Sequence, residues 1–231
     1  MSIYQQQARM KVKICGITSL EDAEIALAAG ADALGFVFYP RSPRRISVRE
    51  AKRIIQSLPV FVEKVGVFVD GSPDEIDETC RSLKLTLAQL SGDVFTSGVV
   101  RRFRIPVMRA FRVNESFNAC VAYNFLKRSK TTTVLLDTYD AKLHGGTGRC
   151  IDREKAKGLV KEISEFGYVV LAGGLTPSNV AETIEAVRPF GVDVASGVEK
   201  EAGKKDPEKV RAFVENAKAA FQRLETQSAQ R

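Results

Sequence analysis

Short apolar runs rich in β-branched residues alternate with amphipathic stretches along this sequence, and that alternation constrains the fold more than any other feature. Strand-like runs fall at residues 12–14, 33–38, 62–69, 87–90, 106–110, 133–136, 169–172 and 192–195. Several are followed by a helix start that is legible from its chemistry. Thr18 with Glu21, Ser47 with Glu50, and Ser72-Pro73 with Glu75 have the capping-box spacing, in which a hydroxyl and a carboxylate satisfy the first open amides of a helix. Weaker patterns predict helices at 98–102 and 115–126. Asp152, Thr176-Pro177 and Asp206-Pro207 open the last three, the final one running to about Leu224.

Strands alternating with helices imply parallel pairing through right-handed crossovers. Eight such units in 231 residues fit a closed (β/α)8 barrel, a single-domain α/β fold with a parallel eight-stranded core. An open doubly wound sheet is the alternative. The turn after its first strand normally carries a Gly-rich dinucleotide fingerprint, and here that turn reads Ile14-Cys15-Gly16-Ile17-Thr18. The barrel is expected over residues 11–224, with a polar, Gln-rich leader at 1–10 and a polar tail at 225–231.

Composition narrows the function. One His in the chain excludes a His-rich zinc site. No apolar run approaches the roughly 18 residues that a membrane span needs. The four cysteines lack Cys-x-x-Cys spacing, which predicts reduced thiols and a cytoplasmic setting. The net charge of +7 favours anionic partners, but no nucleic-acid motif accompanies it, so no nucleic acid and no membrane is expected as partner.

In a barrel of this kind, function sits at the carboxyl ends of the strands. That selects Cys15, residues 39–45, Asp70, 89–91, 109–112, Asp137, Gly173-Gly174 and Ser196-Gly197. The two Gly-rich ends follow the seventh and eighth strands, where backbone amides of such barrels often cradle a phosphate. Cys15 is either a small apolar filler or, once ionised, a base or nucleophile. Lys13 lies on the same face of its strand and either favours the thiolate or pairs with Asp193 as a structural bridge. Asp137 either caps the next turn or, if poorly hydrated, donates a proton. The segment after it contains Gly145, Gly146 and Gly148, suited to folding over a ligand. His144 in that segment reads as a solvated loop residue. Cys80 and Cys120 fall in predicted helices and read as packing residues, and Cys150 has no evident role.

Taken together, the blocks Lys13-Ile14-Cys15-Gly16-Ile17-Thr18, Gly35-Phe36-Val37-Phe38 with 42–47, Leu135-Leu136-Asp137, 145–148, Gly173-Gly174-Leu175 and 193–199 resemble the phosphoribosylanthranilate isomerase family over nearly the whole chain. The resemblance implies an Amadori rearrangement of N-(5-phosphoribosyl)anthranilate to 1-(2-carboxyphenylamino)-1-deoxyribulose 5-phosphate, in tryptophan biosynthesis. It implies Cys15 as general base and Asp137 as general acid. Arg44 falls on the anthranilate carboxylate, and Gly173, Gly174, Asp193, Ser196 and Gly197 fall in the substrate-binding set. No metal and no organic cofactor is implied, because the iminium formed from the substrate is its own electron sink. The expected partner is a small anionic phosphosugar, and the expected assembly a monomer or homodimer.

One departure stands out. After the fourth strand the family usually has His, and this chain reads Gln89-Leu90-Ser91-Gly92. Ala195, where the family often has Ser, is a smaller change. The rivals are a histidine-pathway isomerase of the same reaction type, which needs a second anion cradle, and a phosphosugar-binding barrel that has lost catalysis.

Overall fold

The structure is a computed structural model and describes residues 10–138 and 153–229. Eight strands close into a parallel barrel: β1 (Lys11–Cys15), β2 (Ala33–Val37), β3 (Glu63–Phe68), β4 (Leu87–Leu90), β5 (Val107–Arg112), β6 (Thr133–Asp137), β7 (Tyr168–Ala172) and β8 (Gly191–Val194). Each pairs with its sequence neighbours, and β1 closes the ring against β8 with Lys11 opposite Gly191 and Ile14 opposite Val194. The helices are α1 (Leu20–Ala28), α2 (Val48–Gln56), α3 (Pro73–Leu83), α4 (Ser97–Val100), α5 (Ala119–Ser129), α6 (Arg153–Ile163), α7 (Val180–Val187) and α8 (Pro207–Ala229). This is the TIM-barrel architecture expected from the alternation.

Strand parity explains the core. Val12, Ile14, Leu34, Phe36, Val134 and Leu136 face outward and join the helices in one continuous apolar layer. Their alternate neighbours fill the barrel. Met108, Ala110, Leu135, Val170 and Ala172 form one inner cluster, and Cys15, Val37 and Val67 form another with Tyr39 and Ala195 packed on it.

The capping boxes at Ser47–Glu50 and Ser72–Glu75 are both present. The first helix differs. Ser19 caps it, accepting from the Asp22 amide, because Thr18 is drawn elsewhere: its hydroxyl donates to the Gly203 carbonyl at 2.5 Å. Helix α5 begins later than its periodicity suggests, since Asn114 holds the amide of Phe117 in a turn and Asn118 provides the cap. Thr176 and Pro177 lie in a turn before α7, with the Thr176 amide on Asn179 Oδ1. Helix α8 continues through Ala229, past Leu224, with no Gly or Pro to stop it. At the other end Met10, expected within the leader, packs on the core.

One element has no place in the repeat. After a 3-10 turn at Ser196–Val198, strands β9 (Glu199–Glu201) and β10 (Lys204–Lys205) form an antiparallel hairpin over the β8 end of the barrel.

Candidate active site

Cys15 and Asp137 each end their strand. Each is two residues past an inward-facing position, Lys13 and Leu135, so both point inward at the same end of the barrel. Cys15 pairs across the ladder with Gly35. A Cβ on Gly35 would lie 2.8 Å from Cys15 Sγ and 3.0 Å from Lys13 Nζ. The missing side chain is therefore the space in which thiol and ammonium meet. Gly35 is a site residue that the list of strand ends passed over, and its signal was a glycine inside a buried apolar strand.

Lys13 makes both of the contacts that the sequence left open. Its Nζ donates to Asp193 Oδ1 at 2.8 Å, with both side chains buried. Burial alone would lower the Lys13 ammonium, but Asp193 and the neighbouring Cys15 outweigh it and the net direction is up. For Cys15 the balance runs against ionisation. Burial pushes the thiol up from its ordinary range, Lys13 pulls it down, Asp193 adds to the rise, and Lys205 opposes it more weakly. Lys13 thus offsets part of the rise that burial imposes on the thiol. Asp193, which the resemblance puts in the substrate-binding set, makes the structural bridge to Lys13 that was the other reading of that pair.

On the far side, Asp137 is half-buried, and its carbonyl accepts the Val113 amide. The next residue, Thr138, donates its hydroxyl to the carbonyls of Ala172 and Gly173 at 2.8 and 3.2 Å, which binds the Asp137 end to the turn after β7. That turn needs glycine: Gly173 and Gly174 have φ of 96° and 65°. Asn179 fixes it by donating to the Gly174 carbonyl at 2.9 Å. Gly197 lies against it so closely that a Cβ there would stand 1.9 Å from the Leu175 carbonyl oxygen. The two loops expected to cradle phosphate are packed backbone to backbone.

Arg44 comes from the β2–α2 loop and lies over Gly16, where a Cβ would strike its Cδ at 2.7 Å. Its Nε and Nη2 donate to the two Glu199 oxygens at 2.9 and 2.7 Å, and this bond holds the guanidinium firmly charged. Burial by itself would raise the Glu199 carboxyl, but bonds from Arg44 and Lys205 hold it below the usual carboxylate range. A guanidinium has five N–H groups in a planar fork, so the edge bearing Nη1 is left for a second carboxylate.

Gln89 on β4 alternates with the outward Ala88 and Leu90 and so faces inward, and Ser91 follows the strand end. Gln89 is buried, and its Oε1 accepts no hydrogen bond among the described residues. Arg109 lies between the inward Met108 and Ala110 and so faces the helical layer, where it donates to the carbonyls of Leu90 and Ala110. It belongs to the barrel wall. Cys80 is buried in α3, as expected of a packing residue, whereas Cys120 is exposed at the start of α5. The expectations for His144, Cys150, Asp152 and the glycines at 145–148 lie outside the described residues. A surface hollow of about 500 Å³ beside α8, lined by Ala219, Gln222, Arg223 and Thr226, holds none of this chemistry and does not compete with the barrel mouth as a site.

The family model described as N-(5'phosphoribosyl)anthranilate (PRA) isomerase matches residues 12–216. Curated relatives named N-(5'-phosphoribosyl)anthranilate isomerase include that of Chlorobium chlorochromatii, 48% identical over 91% of this chain and 97% of the relative. The one from Trichlorobacter lovleyi is 48% identical over 92% of this chain and 100% of the relative. Among solved structures, phosphoribosyl anthranilate isomerase from Thermotoga maritima superposes with a TM-score of 0.80 at 40% identity, covering 91% of this chain and all (100%) of that one. A further structure of the enzyme, in complex with reduced 1-(o-carboxyphenylamino)-1-deoxyribulose 5-phosphate, gives 0.77 at 40% identity, covering 91% and 100%. With a match that runs from β1 into α8, the chain belongs to the N-(5'-phosphoribosyl)anthranilate isomerase family.

Proposed function

We propose that Cys15 and Asp137 are the general base and general acid of the reaction this chain catalyses. The activity is that of its family: it isomerises N-(5'-phosphoribosyl)anthranilate to 1-(2-carboxyphenylamino)-1-deoxyribulose 5-phosphate in tryptophan biosynthesis. The observation that carries the assignment is that both side chains end their strands on the inner face at one end of the barrel, beside the abutting Gly173-Gly174 and Ser196-Gly197 loops.

Asp137 protonates the ribose ring oxygen, the C1–O bond breaks, and the nitrogen lone pair forms an iminium. The cationic nitrogen acidifies the C2–H. Cys15 thiolate takes that proton, the electrons of the C–H bond pass to nitrogen, and the resulting enolamine tautomerises to the ketone. Each proton-transfer group contributes about 10²–10⁴-fold. Gly173, Gly174, Ser196 and Gly197 hold the phosphate. Arg44, braced by Glu199, offers its open edge to the anthranilate carboxylate. Asp193 serves the site through Lys13. Ser91 leaves the place of the family's usual His to a short hydroxyl.

The test is steady-state turnover, followed by loss of the substrate's anthranilate fluorescence. Cys15→Ala and Asp137→Asn each lower kcat by about 10²-fold or more while product binding stays measurable. Arg44→Ala mainly raises KM. Near-native turnover in either of the first two variants removes that residue from its role.

A homodimer and a cytoplasmic location belong to the same reading. One related structure is of monomers generated from the dimeric enzyme of Thermotoga maritima, and Val60 and Phe61 of this chain are 80% and 99% exposed. Among the described residues no helix is long and apolar enough to cross a membrane, and Cys15, Cys80 and Cys120 are free thiols.

A further inference from the structure

The β9–β10 hairpin delivers one side chain beneath the proposed base. Lys205 has a fully buried side chain (0% exposed). Its Nζ donates to the carbonyls of Cys15 at 2.6 Å and Ala195 at 3.2 Å, and to Glu199 Oε1 at 2.9 Å. An ammonium has three protons, and three acceptors take them. The last rung of the β1–β8 ladder joins Ile14 to Val194, so Cys15 and Ala195 are the next residues along each strand. The ammonium links their carbonyls at the place where direct pairing between the strands has ended.

Packing does not account for this group. An aliphatic side chain of similar volume would fill the space without desolvating a charge. Docking of the hairpin does not require it either: Asp22 accepts the Lys205 backbone amide at 2.9 Å, and Thr18 holds the Gly203 carbonyl. The ammonium serves the three groups that it contacts. These are the backbone of the base, the strand end that leads into the Ser196-Gly197 loop, and the carboxylate that orients Arg44.

We propose that Lys205 is a positioning residue for the isomerisation, clamping the Cys15 and Ala195 carbonyls so that the thiol is fixed relative to the phosphate loop, and setting Arg44 through Glu199. The inference rests on the reading of Cys15 as the base. Among the described residues, the charged groups that bear on the thiol are Lys13 on its own strand, Asp193 on β8, Arg44 from the β2–α2 loop and Lys205 on β10, with Glu199 behind Arg44. Loss of the Lys205 charge leaves Glu199 less compensated and disfavours the thiolate.

The full-length chain carries Lys205→Met, Lys205→Gln and, in parallel, Cys15→Ala. Turnover of phosphoribosylanthranilate is measured across pH together with the thermal midpoint. In folded Lys205→Met, kcat falls at least about tenfold, with a smaller change in KM. The rising limb of kcat/KM moves to higher pH, so the deficit narrows in alkali. Lys205→Gln, which keeps a donor but no charge, is intermediate. Native kcat with an unmoved profile overturns the proposal, as does a loss that is parallel at every pH and tracks the folded fraction. Failure of both variants to fold assigns Lys205 to stability alone and likewise overturns it. If Cys15→Ala remains active, the underlying assignment of the base fails, which is a separate outcome from any of these.

Discussion

Replacing Gly35 by alanine puts one methyl group into the space shared by the proposed base and its neighbouring cation. The new carbon would lie 2.8 Å from Cys15 Sγ, 3.0 Å from Lys13 Nζ and 3.1 Å from Cys15 Cα, all well inside the roughly 3.5–4 Å of ordinary contact. Gly35 does not have the positive φ that would make any side chain strained, so the effect is one of crowding. Lys13 is held by Asp193 at 2.8 Å, and the Cys15 backbone is fixed in the ladder. Relief therefore falls on the thiol, which must shift by about 1 Å. A misplacement of that size costs about 10²-fold in rate. Overpacking costs about 1–3 kcal/mol of stability, or roughly 2–12 °C in Tm for a domain of this size. The assay is kcat by fluorescence beside a thermal melt. Gly158→Ala is the control, because a Cβ there meets nothing within 4 Å and helix propensity raises stability by about 1 kcal/mol. Gly35→Ala with native kcat and native thiol alkylation would show that the base is not confined as argued.

The charge balance at the mouth gives a signed prediction. Burial raises the Cys15 thiol and Lys13 opposes it while sharing its charge with Asp193. Asp193→Asn leaves Lys13 free to act on the thiol, so alkylation of Cys15 should gain half its limiting rate at lower pH than in the native chain; movement to higher pH contradicts this account. Cys80 gives a second pH effect, on stability. Burial pushes its thiol up to about 12, so the folded chain keeps a proton that the unfolded chain releases. That contribution is full below the ordinary thiol range and is lost as pH rises from there toward about 12. Cys80→Ala should flatten the alkaline fall in denaturation midpoint, and an unchanged slope would assign the fall to other groups.

The sequence by itself determined the repeat and the face. Alternating strands and helices at this length close into a barrel because parallel strands need covered faces and right-handed crossovers. Once β1 and β6 are placed, strand parity alone points Cys15 and Asp137 inward. The capping boxes of α2 and α3 were legible because their hydrogen bonds are local, spanning three residues. What the sequence did not disclose are contacts between distant segments. Thr18 looks like a cap until Gly203 claims its hydroxyl, and Gly35 looks like a weak strand residue until Lys13 and Cys15 fill its place. Lys205 looks like a surface cation in a short charged stretch. Only the folded chain brings to it the carbonyl of a residue 190 positions away, together with Glu199, and so makes burial of its charge tolerable. Periodicity reports which side of an element meets the core. Which polar groups share a buried space depends on how the barrel closes, and that was decided by the tertiary structure.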